Sequence, residues 1–183
     1  MTLDIVVAFL LGAFTWTFME YVLHRWLGHD PRFRPNLFAA EHVRHHGEGN
    51  YFAPSWKKAC AAAVATAVLA GPAAAIAGWA TGLGYVVGFV GMYLGYEVMH
   101  RREHTHPGFG PYARWARRHH FHHHFTSPRV NHGVTTPIWD WVFGTYRPAG
   151  YIRVPAKLQM AWLADTGTGR VRAAYAEHYE LVD

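Results

Sequence analysis

Three stretches of this sequence carry almost no charge, and each is long enough to demand apolar surroundings. Leu3–Leu23 holds only Asp4 near its start and Glu20 near its end. Ala59–Trp79 holds no charge, and Leu83–Met99 none before Glu97. A helix needs about 20 apolar residues to cross a bilayer, with a lower limit of roughly 17. The first two stretches clear that length and the third sits at its edge. Backbone polar groups in lipid must be satisfied within the segment, so each stretch is expected to be helical. The expected fold is all-α: an integral membrane protein with about three transmembrane helices. Leu3–Leu23 has no Lys or Arg before it and runs straight into His24, unlike a cleaved signal, so it is expected to be retained.

Charge sets the expected orientation. All seventeen Lys and Arg residues lie in Arg25–Lys58 or from Arg101 onward. The positive-inside rule places both regions in the cytoplasm and the N-terminus outside. The formal net charge of +5 suits basic residues that flank spans and meet anionic headgroups, so no nucleic-acid partner is expected. The single cysteine, Cys60, excludes an internal disulfide and a zinc–thiolate site.

Eleven of the fifteen histidines fall in four short clusters, all on the side that charge assigns to the cytoplasm. They are His24 and His29; His42, His45 and His46; His100 and His104; and His120, His122, His123 and His124. Imidazole is the commonest protein metal ligand, and this is more than one mononuclear site can use. On a helix, residues three and four apart share a face. His42, His45 and His46 therefore project together, and so do His100 and His104. The last cluster reads as H-x-x-H-H in two registers, His119–His123 or His120–His124. His24 and His29 are five apart and diverge by about 140° on an α-helix, so the helix is expected to end between them, at Gly28. How each H-x-x-H-H divides its histidines between two metals is open. The isolated His106, His119, His132 and His178, with His122, are expected to lie outside the site.

Two all-histidine sites with up to five ligands each would leave an open position apiece, which suits a redox metal that binds dioxygen. Imidazole accepts several metals. Iron is favoured; zinc, which has no redox chemistry, would limit the protein to hydrolysis. Between the clusters, Glu41–His46 and Tyr112–His124 are expected to be helical, and Pro72 is expected to kink the second span. The tail is expected to hold a short helix over Pro155–Ala164 and an amphipathic stretch over Arg170–Leu181, with no part in the chemistry.

The order of these motifs resembles a known family. Glu20-Tyr21-Val22-Leu23-His24-Arg25-Trp26-Leu27-Gly28-His29 is similar to the E-Y-x-x-H-R-x-x-x-H signature of the fatty acid hydroxylase / sterol desaturase superfamily. H-x-x-H-H at His42–His46, H-x-x-x-H at His100–His104 and H-x-x-H-H at His120–His124 follow in that family's order. Gly133–Thr145 resembles its closing G-V/I-T-x-x-x-W-D-x-x-F-G-T segment. The resemblance covers roughly residues 16–148 and selects the His120 register. It implies a membrane di-iron oxygenase that hydroxylates a lipid with O2 and electrons from a separate donor, ferredoxin or cytochrome b5-like. It divides the chain into a membrane domain, residues 1–148, and a cytoplasmic tail, 149–183. It implies one metal on His24, His42, His45, His120 and His123, and the other on His29, His46, His100, His104 and His124. Asp140 and Glu41 are then candidates to accept N–H groups of the ligands, with turn capping the equal alternative for Asp140, while Trp139, Trp141 and Phe143 are expected to pack the cytoplasmic cap. The W-D-x-x-F-G-T ending favours a fatty-acyl substrate over a carotenoid; a carotenoid or sterol hydroxylase or desaturase of the same superfamily is the alternative. A membrane zinc hydrolase is the reading from another class.

Overall fold

The computed structural model describes residues 3–183. Six α-helices account for most of it: α1 Leu3–Val22, α2 Leu37–Glu48, α3 Ser55–Ala77, α4 Trp79–Thr105, α5 Gly110–Phe125 and α6 Ile138–Val142. Two short strands, β1 Ile152–Pro155 and β2 Tyr179–Val182, pair in parallel, with Ile152 opposite Tyr179. Three helical segments are long and apolar enough to cross a membrane: Leu3–His29, Ser55–Ala77 and Trp79–Thr105. The chain divides into two compact units, the residues up to Glu20 with Ala53–Val98, and Tyr21–Phe52 with Met99–Asp183.

The first unit holds most of the spans. The indole of Trp16 packs against Phe89, Tyr93 and Tyr96 of α4, with ring centres 4.7 to 5.8 Å apart. The two backbones pass so closely that a Cβ on Gly88 would collide with the Phe9 carbonyl, and one on Gly12 with that of Tyr85. Small residues allow this contact, which in lipid must come from packing because burial from water offers nothing there. The turn between the second and third spans is Gly78, at φ 77°. The third span therefore starts at Trp79 and is not marginal. Pro72 lies inside an unbroken α3.

The second unit contains every histidine. Here α1 does not stop at Gly28. It continues as a π-helix over Leu23–His29, whose i→i+5 bonding stacks residues five apart on one face. The helix α2 starts at Asn36, whose side chain accepts the Ala39 N–H at 2.8 Å, and ends at Gly49, φ 63°. The tail departs from expectation. Pro155–Ala164 is helical only over the 3₁₀ turn Ala156–Leu158, and just before it Ile152 and Val154 alternate with Arg153 to build a strand. The Arg170–Leu181 stretch yields a 3₁₀ turn, Ala173–Tyr175, and most of β2. Together these elements bury Ile152, Val154, Met160, Trp162, Leu163 and Tyr179 against Phe121 of α5.

Candidate metal centre

The ten histidines converge as two groups, the only such groups of three or more among the described residues. One holds His24, His29, His42, His46 and His123; the other holds His45, His100, His104, His120 and His124. Within each group the potential ligand atoms lie within 4.8 Å of one another. The division differs from the one the resemblance implied: His45 and His120 change places with His29 and His46. Helix geometry explains it. On α2 and α5, residues four apart rotate by only about 40°, while the residue three along lies about 60° the other way. His42 and His46 therefore face one group while His45 faces the other. His120 and His124 likewise face one group while His123 crosses over. The span ends complete each set, His24 and His29 on the π-helix and His100 and His104 on the last turns of α4. His119 and His122, the other register, point elsewhere.

The protons can be placed. His24 donates from Nδ1 to the His132 carbonyl at 2.5 Å, His123 to that of Val130 at 2.7 Å, and His45 to that of Tyr51 at 2.6 Å. A carbonyl only accepts, so in each neutral ring the proton is on Nδ1 and the Nε2 lone pair faces the group. Yet the Nε2 atoms of His24 and His123 lie 2.9 Å apart. Two lone pairs facing at that distance, both in buried rings, repel unless a cation lies beside them. His29 Nε2 is 2.8 Å from both His42 Nε2 and His123 Nε2. In the second group His45 meets His100, and His104 meets His120, at 3.0 Å. Both ring nitrogens of His124 and the Nε2 of His46 are buried without a hydrogen bond. The rings of His46 and His124, one from each group, stack 4.0 Å apart. The donor set and its orphaned nitrogens fit two metal ions.

Burial reinforces this. His42, His120, His123 and His124 are held far below the ordinary imidazole range by burial first and by neighbouring histidines second. His46 is pushed down to about 2 by the same causes. Metal ligation requires neutral imidazole, so the pocket supplies the required form well below neutral pH.

The two carboxylates act through carbonyls. Asp140, buried, accepts the N–H groups of His132 and Gly133 at 2.8 Å, the Thr145 hydroxyl at 2.7 Å and His119 Nε2 at 3.2 Å. It thereby fixes the loop whose His132 carbonyl holds His24. Glu41 accepts the Tyr51 hydroxyl at 2.5 Å, and the Tyr51 carbonyl holds His45. His132, expected to be a bystander, is thus a backbone support for the first group. Asn131, at φ 57° and fully buried, sets its position through bonds to Arg147 and Thr145. Sequence reading missed Tyr51 and Val130 because their carbonyls, not their side chains, do the work. It missed Phe52, whose ring lies 5.3 to 5.9 Å from His45, His100 and His104, for want of any motif. Trp141, expected to pack the cytoplasmic cap, is exposed.

The family model described as fatty acid hydroxylase matches residues 9–145. Among curated proteins, the chain is 32% identical over 146 residues to a ceramide very long chain fatty acid hydroxylase of Saccharomyces cerevisiae, which covers 75% of this chain and 37% of that protein. It is 31% identical to a dihydroceramide fatty acyl 2-hydroxylase of Arabidopsis thaliana, covering 78% and 61%. It is 29% identical to the fatty acid 2-hydroxylase of Homo sapiens, covering 76% and 39%. The chain therefore spans less than two thirds of the length of each. Of solved structures, full-length scs7p, in which only the hydroxylase domain is visible, matches with a TM-score of 0.61 at 25% identity, over 78% of this chain and 56% of that one.

Proposed function

The chain belongs to the fatty acid hydroxylase family, and on that footing we propose that it is a membrane-bound di-iron monooxygenase hydroxylating an aliphatic C–H bond of a lipid. The names of the relatives favour a fatty-acyl chain. The observation that carries the reading is the meeting of the His24 and His123 Nε2 lone pairs at 2.9 Å inside two groups of five imidazoles. His24, His29, His42, His46 and His123 would hold one ion, and His45, His100, His104, His120 and His124 the other. Bound iron would supply the redox chemistry by which dioxygen is activated. Five imidazoles without cysteine exceed the four ligands of a closed structural zinc site.

The chain's own residues have defined parts. The His132, Val130 and Tyr51 carbonyls keep protons on Nδ1 and lone pairs on the metal side. Asp140 and Glu41 hold two of those carbonyls in place. Phe38, stacked on His42, and Phe52 restrict water at the two groups. Electrons come from a separate donor, and the basic residues outside the spans suit an acidic redox protein. The excess of Lys and Arg around the clusters supports a centre at the cytoplasmic face.

The test is isotopic. Iron-loaded protein in lipid, given reductant and labelled dioxygen, should yield hydroxylated acyl chain that carries the label. Label arriving from water instead would identify a hydrolase and overturn the reading. Metal analysis of the active protein should return two irons per chain.

A further inference from the structure

We infer that α6 is a membrane-interface anchor, seated in the headgroup region of the bilayer beside the end of the Leu3–His29 segment. The inference rests on the chain being a membrane protein, and not on which lipid it oxidises. The helix is inside out. Ile138, Trp141 and Val142 share one face at i, i+3 and i+4 and are 38%, 58% and 63% exposed, while Asp140 is fully buried. A helix whose outer face meets water shows the reverse, apolar in and charged out. Tryptophan, with an apolar body and one N–H donor, is enriched where headgroups meet acyl chains.

The helix is joined to the end of a span by ring contacts. Phe143, the residue after α6, stacks on Tyr21 at 5.1 Å and 12°, and Tyr21 lies in the membrane-crossing segment Leu3–His29. Trp26 of the same segment meets Phe143 edge-on at 6.3 Å. The Arg25 guanidinium lies over both the Tyr21 and Phe143 rings, at 5.7 and 5.9 Å. An arginine among aromatic rings at a span end is placed to meet lipid phosphate. This junction with the end of a span makes lipid the occupant, rather than a soluble partner or a second copy.

The inner face gives the anchor a purpose. Asp140 holds the His132 and Gly133 N–H groups, and the His132 carbonyl holds His24. Lipid on the outer face of α6 therefore steadies, from outside, the loop that orients a proposed metal ligand.

The experiment uses the full chain in nanodiscs with one protomer per disc. Val142→Cys in a Cys60→Ser background is labelled with a polarity-sensitive fluorophore, and Ile138→Cys serves as a second position should the first express poorly. Arg153→Cys, on the exposed face of β1, is the aqueous reference. The α6 label should emit to the blue of the reference, lose most of its emission to a nitroxide high on the acyl chain, and resist iodide. Quenching by iodide and not by the nitroxide would overturn the anchor. So would a blue shift confined to discs that carry two protomers, which would put a second copy on the face. A blue shift insensitive to both quenchers would mean that protein covers α6, and would overturn it equally.

Discussion

The indole N–H of Trp162 donates to the backbone carbonyl of His104 at 3.1 Å. His104 belongs to the second histidine group and lies in the last turn of α4, where carbonyls have no partner within the helix. The tail thus closes a helix end that carries a proposed ligand. The Arg117 guanidinium lies 4.2 Å above the Trp162 ring and also donates to the His106 carbonyl at 2.8 Å. Trp162→Phe keeps an aromatic ring, gives up part of the buried indole bulk, and deletes one hydrogen bond, which contributes about 1 kcal/mol net. The expected outcome is a modest drop in melting temperature with metal lost from the second group before the first. Metal per chain during slow chelation checks it; even loss from both groups would place Trp162 in the tail core alone.

Tyr51 should matter through its carbonyl. Tyr51→Phe removes the hydroxyl that Glu41 accepts and frees the segment that orients His45. Glu41→Gln keeps an acceptor for the same hydroxyl. Weaker metal binding by about tenfold is expected for Tyr51→Phe, within the range seen when a partner of a ligand is lost, with milder weakening for Glu41→Gln. Equilibrium titration of the metal-free protein reads both, and equal effects would argue against the relay.

Gly28 is required for proximity and not for backbone conformation. A Cβ there would come within 2.9 Å of the His42 ring and 3.3 Å of Phe38. Gly28→Ala should therefore displace His42 and cost roughly 1–3 kcal/mol, as overpacking does. Metal should be lost from the first group while the second is retained. A crystal or cryo-EM structure of the variant with His42 unmoved would contradict the expectation.

Acid should destabilise the metal-free protein. His46 is pushed down to about 2 and His132 to about 4, chiefly by burial, and His42, His120, His123 and His124 are lowered from the same first cause. In the unfolded chain these rings take protons near pH 6.5. Below that pH the unfolded state binds more protons than the folded one, so stability is full above about 6.5 and falls as pH drops. Thermal melts of the metal-free protein should shift steadily downward from pH 7.5 to pH 5. A flat profile would mean that the folded clusters accept protons without penalty.

Spans and histidine clusters were legible in the sequence because both are local patterns: uncharged length for one, repeats of three and four for the other. The division of the histidines into two groups was not. Which face of α2 meets which face of α5 depends on packing between distant elements, and the resemblance paired His45 with His24 where rotation sends it to His100. The π-helix at Leu23–His29 was hidden for a similar reason. An α-helix that must end and one that changes its hydrogen-bond step satisfy the same five-residue spacing. The tail eluded reading because Ile152 and Val154 form a strand only when β2 returns alongside, and β2 lies more than twenty residues away.

His24 and His123 are 99 positions apart, and the crossing of His45 and His123 means that each group draws on both α2 and α5. An ion bound in either place would fasten the same two helices, and with them a span end, across very long stretches of chain. The loop-closure entropy of those stretches falls on whichever ion arrives first. The second then meets helices already aligned. In the unaltered chain occupancy should accordingly pass from none to two with little of the singly loaded form between, and a substitution confined to one group, such as Gly28→Ala, should be what exposes it.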